Sequence, residues 1–395
     1  MKKLLSLLGS ALLLLFLAGC GDSEDAATEA NGEAAAKPVS VQETPAYPTE
    51  DTVLVPYEGR VEHLFFHPVI AYPEMAFDGD YMTDGFDDWM VTAGEYKAIL
   101  QSLYENNYIL VNMNDVWSEY TDENGQKRMK ANTLMLPEGK KPLIVSYDDV
   151  NYYTYMQENG FAYKLILGDD GNLWSWGLDP FGEEVVSQDL DAITIMDCFV
   201  AEHPDFSLYG AKGCLCLTGY EGILGYRTQS NEEDNSEAAQ TNRQKEIEAV
   251  KPIVQRLKDT GWYFGCHTWG HLNLGNRALA AVQEDMTKWM NEVSPLVGET
   301  TLFFYPYGAR ADGDDLNQTG SILSYLEGLG FEVFSSVGIE SYSKIKTDSC
   351  AVVCDRLHPD GTTLRWQRSR YLPFFDAQEV MDLKSRPNRG YDFSR

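Results

Sequence analysis

Two histidines, His267 and His271, lie four residues apart in the stretch WYFGCHTWGHLNLG, in a chain with six histidines among 395 residues. Neutral imidazoles are good zinc ligands, and two at this spacing can bind one ion. The glycines argue against a long helix, and the Thr-Trp-Gly between the histidines excludes an HExxH motif. The pair predicts a metal site in a loop or single turn; the alternative is two half-buried histidines packed on Trp262 and Trp269.

Two adjacent carboxylates, Asp148 and Asp149, come shortly after the apolar run 143–145, separated from it by Ser146 and Tyr147. Carboxylates at the rim of a buried strand are costly unless they are paired or bind a metal ion. Neighbouring side chains on an extended chain point in different directions, so one carboxylate could bind an ion while the other stays free. The alternative is a solvated turn, because this acidic chain contains other Asp-Asp pairs.

An aromatic run ends in the turn Tyr-Pro-Tyr-Gly at residues 305–308. A turn of this kind can direct a backbone N–H towards a reacting group, which is what an oxyanion hole requires. The alternative is a set of core aromatic residues followed by an ordinary turn.

Predicted strands and helices alternate along the chain. The runs KPLIVSYDDV, KGCLCLTG and TLFFYPYG are typical of buried strands, whereas EIEAVKPIVQRLKDTGW and LAAVQEDMTKWMNEVSPLVG have helical spacing. This alternation predicts an α/β fold with mostly parallel strands. Each motif above falls where a strand ends, and the carboxyl ends of parallel strands share one edge. We therefore expect the three motifs to lie together.

In this order, the three motifs resemble those of polysaccharide deacetylases with the NodB-homology domain (carbohydrate esterase family four). The family's first motif, Thr-Phe-Asp-Asp, corresponds to Ser-Tyr-Asp-Asp at 146–149, and its second, His-Ser/Thr-x-x-His, is fully matched at 267–271. The turn at 305–308 matches its third. The resemblance covers roughly residues 60–385 and implies a deformed (β/α) barrel, with a hairpin-containing insertion at about 161–245.

The resemblance also implies a role for each site residue. A divalent metal ion, usually zinc, would be bound by Asp149, His267 and His271. Asp148 would be the general base, and the backbone N–H of Tyr307 would stabilise the oxyanion. His358, the only histidine near the carboxyl terminus, would be the general acid, unless it is a surface residue.

One departure from the family concerns the partner of the base. Many relatives carry an arginine two residues before the proline of the third motif, where this chain has Phe304. That arginine helps to orient the base, so its absence leaves the partner of Asp148 open. Arg356 and Arg365 are the candidates for this partner.

Other residues could contribute to a sugar-binding cleft. His63 and His67 are four apart in a predicted strand, so they would share one face and could line the rim of the cleft. Packing in the core or at the rim is the simpler interpretation. Four tryptophans could stack on sugar rings, although packing is the alternative for each: Trp174, Trp176, Trp269 and Trp366.

The amino-terminal segment predicts export. Residues 1–20 combine Lys2 and Lys3 with a Leu-rich run and end in Leu-Ala-Gly-Cys, which resembles a bacterial lipoprotein signal. That resemblance implies cleavage before Cys20 and a lipid on its thiol, hence a protein anchored to the membrane on its extracytoplasmic side; ordinary signal cleavage is the alternative. Residues 21–55 predict an acidic, disordered tether, and 56–395 the deacetylase-like domain.

The net charge of −30 argues against a nucleic-acid partner. The leading hypothesis is a metal-dependent hydrolase that acts on carbon–nitrogen bonds and so removes the acetyl groups of an N-acetylated glycan, such as peptidoglycan or an N-acetylglucosamine polymer. The first alternative is a degenerate protein of the same fold that only binds carbohydrate. The second is a solute-binding lipoprotein, for which two similar α/β lobes would be expected.

Overall fold

Strands and helices alternate along the folded chain. The computed structural model describes residues 47–230, 234–311, 316–347 and 349–394, with no side-chain description at 316–320. The predicted signal peptide, Cys20 and the predicted tether up to residue 46 lie outside the described residues.

The described strands are β1 (Leu54–Pro56), β2 (Glu62–Phe66), β3 (Tyr108–Leu110), β4 (Trp117–Thr121), β5 (Lys127–Ala131), β6 (Met135–Pro137), β7 (Lys141–Asp148), β8 (Lys164–Leu167), β9 (Leu173–Leu178), β10 (Glu184–Ser187), β11 (Cys214–Leu217), β12 (Tyr263–Cys266), β13 (Leu302–Phe304), β14 (Val333–Val337), β15 (Tyr342–Ile345) and β16 (Val352–Arg356). The described α-helices are α1 (Pro73–Ala76), α2 (Thr83–Trp89), α3 (Ala93–Glu105), α4 (Thr154–Gln157), α5 (Ala192–Glu202), α6 (Glu237–Asp259), α7 (Leu279–Glu292), α8 (Ser294–Val297), α9 (Leu316–Gly328), α10 (Gly361–Trp366), α11 (Arg368–Tyr371) and α12 (Ala377–Val380).

Parallel strands form the central sheet, in the order β16-β14-β13-β12-β11-β7-β2, with β15 antiparallel on β16 and β3 beside β7. The two ends of this row also meet: the Phe65 N–H donates to the Leu357 carbonyl (2.9 Å), and the Leu357 N–H donates to the His63 carbonyl (3.0 Å). The sheet therefore curls into a nearly closed ring. This confirms the predicted α/β barrel.

The central strands of this sheet are almost completely buried. All four residues of β11 are buried, as are seven of the eight in β7, because helices or other layers cover both faces of such strands. At the start of helix α3, the Glu95 N–H donates to Thr92 Oγ1 (3.1 Å), and the Thr92 N–H donates to Glu95 Oε2 (2.8 Å). These two bonds form a capping box and fix the start of the helix.

A smaller antiparallel sheet lies within the segment 161–245. Strands β8, β9 and β10 pair in sequence as a meander, which is the hairpin structure expected there. The same segment also contains β11, which belongs to the main ring between β7 and β12.

The β4–β5 hairpin lies at the amino-terminal edge of the barrel, where the strands of the ring begin. Strand β3 pairs with the first residues of β7, in the register Tyr108↔Lys141 to Leu110↔Leu143. Trp117 and Met129 of the hairpin pack in one cluster with residues that begin β11, β13, β14 and β16. The hairpin therefore lies at the amino-terminal edge, away from the carboxyl ends of the ring strands.

Buried ion pairs connect the carboxyl-terminal segment to α2 and α3. The Arg386 guanidinium donates to Glu95 (2.7 Å to each oxygen) and to Asp87 Oδ1 (2.9 Å). Arg365 also donates to Asp87 Oδ1 (2.6 Å). The prediction that Arg365 could pair with Asp148 is therefore wrong, because its guanidinium is held by Asp87.

In the part of the chain that the structure describes, none of the helices combines the length and the apolar character that crossing a membrane requires.

Candidate metal centre and active site

The carboxyl-terminal edge of the ring gathers side chains from five strands. Asp148 ends β7, and His267 directly follows β12. Arg356 ends β16, and His67 directly follows β2. The Tyr305–Gly308 turn follows β13 in the same way. Because these strands are parallel neighbours, their ends meet at one edge, as the sequence indicates.

The three predicted metal ligands lie together. Donor atoms of Asp149, His267 and His271 are all within 4.8 Å of one another. His271 Nε2 is 3.6 Å from Asp149 Oδ2, and the two imidazole centroids are 5.0 Å apart. One carboxylate and two imidazoles, with positions left for water and substrate, are the donor set of many catalytic zinc sites.

His267 is prepared to act as a ligand. Its Nδ1 lies 2.9 Å from the carbonyl oxygen of Phe304. A carbonyl only accepts hydrogen bonds, so Nδ1 carries the proton and the Nε2 lone pair is available. Burial lowers the pKa of His267, which keeps the ring neutral at pH 7. The residues present therefore fit a divalent cation.

The backbone around the other two ligands is strained. Asp149 has φ of 61° and His271 has φ of 52°, both in the left-handed region that residues other than glycine rarely adopt. Such conformations cost about 1–3 kcal/mol each and concentrate at functional sites. The strained turn leaves the Asp149 carboxylate facing inward, where the Tyr153 hydroxyl donates to its Oδ1 (2.9 Å).

Asp148, the predicted base, is held by an arginine from another strand. The Arg356 guanidinium donates to both oxygens of Asp148, at 2.7 and 2.8 Å, and both side chains are buried. Burial alone would raise the pKa of Asp148, but the Arg356 charge and hydrogen bonds hold it well below its usual range. Asp148 Oδ2 is also 3.9 Å from His267 Nε2, so this carboxylate borders the predicted metal ligands.

Phe304, at the position where the resemblance leads one to expect an arginine, packs against the guanidinium of Arg356. The Arg356 guanidinium carbon lies 4.8 Å above the Phe304 ring and 4.1 Å above the Phe65 ring. The Phe304 side chain therefore packs on a guanidinium that arrives from β16. Of the two arginines considered as partners for Asp148, the structure selects Arg356.

His358, the predicted general acid, is buried, so its reading as a surface residue is wrong. Its Nδ1 lies 2.9 Å from Asp360 Oδ2, and its ring stacks on Phe65 with centroids 4.2 Å apart. Burial would raise the pKa of Asp360, but His358 and the hydrogen bonds at the start of α10 lower it. The ionised Asp360 therefore orients the His358 ring.

His67 lies beside His358 at this edge of the ring. Its four-residue spacing from His63 had suggested a position on the same strand face. Its ring meets that of His358 at 4.7 Å, and its buried Nδ1 has no hydrogen-bond partner among the described residues. Burial, together with His358, lowers the pKa of His67 to about 4, against an opposing effect of Asp148 and Asp149. Strand β2 ends at Phe66, so the shared-face argument from His63 does not extend to His67.

His63 has a structural role instead. It is buried, and its Nε2 lies 2.9 Å from Ser146 Oγ. Ser146 Oγ also accepts a hydrogen bond from Arg356 (3.1 Å), so His63 supports the strand that carries Asp148. The general rule that chemistry follows strand ends would have selected His67 over His63.

Tyr307 lies beside the metal ligands. Its ring meets the His271 ring with centroids 4.4 Å apart, and its side chain is 70% exposed. Its φ of 59° makes the turn tight, and the Gly308 carbonyl accepts a hydrogen bond from Ser336 Oγ (2.7 Å). The turn is therefore anchored to β14 next to the candidate centre.

A comparison with known families matches one part of the chain. Residues 231–327 match the polysaccharide deacetylase family. The matched span contains both histidines of the predicted metal site and Tyr307, whereas Asp148 and Arg356 lie outside it. The match supports the predicted enzyme class, a hydrolase that acts on carbon–nitrogen bonds.

Two solved structures are similar to the chain. One is the Streptococcus pyogenes deacetylase PplD in complex with acetate, with 13% identity, a TM-score of 0.40, and coverage of 79% of this chain and 95% of that one. The other is IcaB from Ammonifex degensii, with 12% identity, a TM-score of 0.39, and coverage of 77% and 93%. None of the curated proteins matches the chain in sequence.

Proposed function

We propose that this protein is a metal-dependent deacetylase that hydrolyses N-acetyl groups of a glycan. The observation that carries the proposal is the arrangement of Asp149, His267 and His271 around one position, with the ionised Asp148 beside them. Water would add to the acetyl carbonyl carbon, the carbon–nitrogen bond would break, and acetate and a free amino sugar would leave.

Asp149, His267 and His271 would hold the ion. When bound, a divalent ion such as Zn²⁺ supplies a Lewis acid that polarises a carbonyl and lowers the pKa of water to about 7. The imidazole of His267 is fixed for this purpose by its bond to Phe304, and Asp149 by its bond to Tyr153. Such bonds orient ligands and limit their rearrangement.

Asp148 would accept the proton of the attacking water. Arg356 keeps this carboxylate ionised and fixes both of its oxygens. A carboxylate with so low a pKa is a weak base, so proton transfer requires a water that is already acidic. This requirement explains why Asp148 lies next to the metal ligands rather than elsewhere on the edge.

Two further groups would complete the reaction. The backbone N–H of Tyr307 would stabilise the oxyanion that forms at the carbonyl. His358 would deliver a proton to the leaving amine, with Asp360 holding the ring in one orientation. The proton is needed because an amine anion is a very poor leaving group.

We further propose an extracytoplasmic protein anchored to the membrane through a lipid on Cys20, with an N-acetylated glycan as its partner. The sequence of residues 1–20 and the tether at 21–55 support the anchor. The acidic net charge argues against nucleic acid.

The test is acetate release from a chitooligosaccharide or a cell-wall fragment. We expect release to stop on chelation, to return with zinc or cobalt, and to be absent in Asp149→Ala. Activity that chelators leave untouched would overturn the metal-dependent mechanism.

Two features of the structure bear on the alternative functions. A degenerate binding protein was suggested by the missing arginine of the third motif and by the lack of a recognisable fourth motif; the bidentate contact of Arg356 with Asp148 argues against the first of these grounds. A solute-binding protein would have two similar lobes, whereas the described strands form one ring and small accessory sheets.

A further inference from the structure

The two oxygens of the Asp149 carboxylate have different surroundings. Oδ2 lies 3.6 Å from His271 Nε2, on the side of another predicted metal ligand. Oδ1 accepts a hydrogen bond from the Tyr153 hydroxyl (2.9 Å). An ion can therefore bind Oδ2 without disturbing the protein, whereas binding to Oδ1 would disrupt the bond to Tyr153.

The Tyr153 hydroxyl is itself held by a second hydroxyl, that of Thr218. The two oxygens are 2.6 Å apart, and either could be the donor. A carboxylate that binds a metal ion is deprotonated and only accepts hydrogen bonds. The single proton of Tyr153 therefore goes to Asp149, and Thr218 donates to Tyr153. Hydrogen bonds arranged head to tail in this way polarise and strengthen one another.

Packing fixes the Tyr153 ring in this position. The side chains of Tyr153 and Thr218 are both buried. The Tyr153 ring stacks with that of Tyr155, with centroids 5.7 Å apart and planes at 17°, and it contacts the Tyr220 ring at 5.7 Å. The hydroxyl cannot swing away from Oδ1 without breaking these contacts.

Tyr153 and Thr218 belong to different loops, which follow β7 and β11, and buried hydrogen bonds join the two loops. The Asn151 carboxamide donates to the Thr218 carbonyl (2.9 Å) and accepts from the Thr218 N–H (3.3 Å). Arg227 donates to the carbonyls of Glu221 (2.8 Å) and Tyr152 (3.0 Å). The fold therefore sets the distance between the two hydroxyls.

The backbone of Asp149 is held as firmly as its side chain. Its N–H donates to the Cys216 carbonyl of β11 (3.2 Å), and its carbonyl accepts from the Asn151 N–H (2.7 Å). These bonds enclose the left-handed φ of 61°. Rotation of the whole residue, which would present both oxygens to an ion, would break them.

Divalent ions differ in what they require of a carboxylate. Zn²⁺ accepts a tetrahedral site with nitrogen and oxygen ligands, so a single carboxylate oxygen beside two imidazoles suits it. Mn²⁺ favours octahedral sites rich in oxygen, to which a carboxylate that binds through both oxygens contributes more. A hydrogen bond that occupies one oxygen therefore favours the first kind of ion over the second.

We propose that Tyr153 and Thr218 are positioning residues that set the metal selectivity of this site. By occupying Oδ1 they restrict Asp149 to one free oxygen, and this favours Zn²⁺ over ions such as Mn²⁺. The inference rests on the proposed metal-dependent function, and it assigns the choice of ion to two side chains that do not themselves bind it.

The experiment measures dissociation constants for Zn²⁺ and Mn²⁺ in protein stripped of metal, by competition with a chromophoric chelator and by calorimetry. Tyr153→Phe keeps the ring and removes the hydroxyl. We expect its Zn²⁺ affinity to fall about 10- to 100-fold, the usual effect of losing a hydrogen bond to a metal ligand. Its Mn²⁺ affinity should change much less, because the freed Oδ1 compensates, so the preference for Zn²⁺ should fall by about tenfold or more.

Three further variants serve as controls. Thr218→Val removes the second hydroxyl and should lower the preference for Zn²⁺ in the same direction by a smaller factor, whereas Thr218→Ser should resemble the wild type. Tyr152→Phe is the matched control, because Tyr152 is the neighbouring tyrosine, is buried in the hydrophobic core and makes no hydrogen bond to Asp149. Urea denaturation of each metal-free variant checks that it folds.

Wild-type metal selectivity in a folded Tyr153→Phe protein would overturn the inference and leave the proposed function intact. An equal loss of selectivity in Tyr152→Phe would also overturn it, because the effect would then belong to the loop and not to the hydroxyl. A wild type that binds neither ion would contradict the metal-dependent function itself.

Discussion

The guanidinium of Arg356 and the carboxylate of Asp148 form a bidentate ion pair, at 2.7 and 2.8 Å, between residues 208 positions apart. Both side chains are buried, so neither charge is solvated by bulk water. The pair connects β7, which ends at Asp148, to β16, which precedes His358. Folding of the barrel and orientation of the Asp148 carboxylate are therefore coupled.

Removal of Arg356 should destabilise the protein, because Asp148 would remain buried without a counter-charge. We expect Arg356→Ala to lower the free energy of unfolding by about 3–5 kcal/mol in urea denaturation. Arg356→Lys keeps the charge but loses the planar fork, and we expect kcat for acetate release to fall about 10- to 100-fold. The double variant Asp148→Asn/Arg356→Met should recover stability but not activity. An Arg356→Ala protein as stable as the wild type would contradict this account.

The same pair sets the direction of one pH effect on stability. The pKa of Asp148 is lowered in the folded state, so its stabilising contribution is present above the unfolded pKa of about 3.9 and is lost as the pH falls below it. The Asp148→Asn/Arg356→Met variant lacks this pH-dependent contribution to stability. Its free energy of unfolding should therefore fall less than that of the wild type when the pH is lowered from 5 to 3, measured by urea denaturation.

Metal content should depend on the partly exposed ligand His271. We expect the wild type to retain about one zinc ion per chain after dialysis, and His271→Ala to retain much less, as measured by plasma mass spectrometry. His203→Ala is the control, since His203 packs on Tyr104 and Phe199 away from this cluster. Equal zinc in all three proteins would rule out His271 as a ligand.

The role of His358 can be tested by changing the leaving group. An amine needs a proton to leave, whereas 4-nitrophenolate does not. His358→Ala should therefore lower kcat for chitopentaose by about 100-fold or more, while hydrolysis of 4-nitrophenyl acetate is unchanged. If His67→Ala gives this pattern and His358→Ala does not, His67 is the acid and His358 orients it.

A buried cap away from the metal ligands predicts a second pH effect. Asp191 accepts the Ile193 N–H at the start of α5 (2.9 Å), and burial raises its pKa to about 6. For a raised pKa, stability is greatest below the unfolded value of about 3.9 and is lost as the pH rises to about 6. Asp191→Asn keeps the cap without the charge. It should stabilise the protein by about 2–3 kcal/mol at pH 7 and by nothing at pH 3.5; equal effects at both values would exclude this cause.

The sequence by itself determined the class of fold and the identity of most of the candidate centre. Alternating strands and helices require a parallel sheet, and parallel strands place their carboxyl ends at one edge. The Asp148 and Asp149 carboxylates at the end of β7 and the His267 and His271 imidazoles after β12 are therefore expected at the same edge of the sheet, whatever the conformation of the loops. His67 obeys the same rule, but its spacing from His63 suggested a different interpretation.

Only the tertiary structure decided which distant side chains complete the site. Closure of the ring brings β16 against β2, and this neighbour relationship places Arg356 on Asp148 and His358 beside His67. Long-range packing also pairs Arg365 with Asp87 rather than with Asp148. Sequence spacing carries no record of these pairings, because they depend on the lateral order of strands and on the direction each side chain takes from its strand. Local pattern fixes the elements, whereas long-range packing fixes which charges become neighbours.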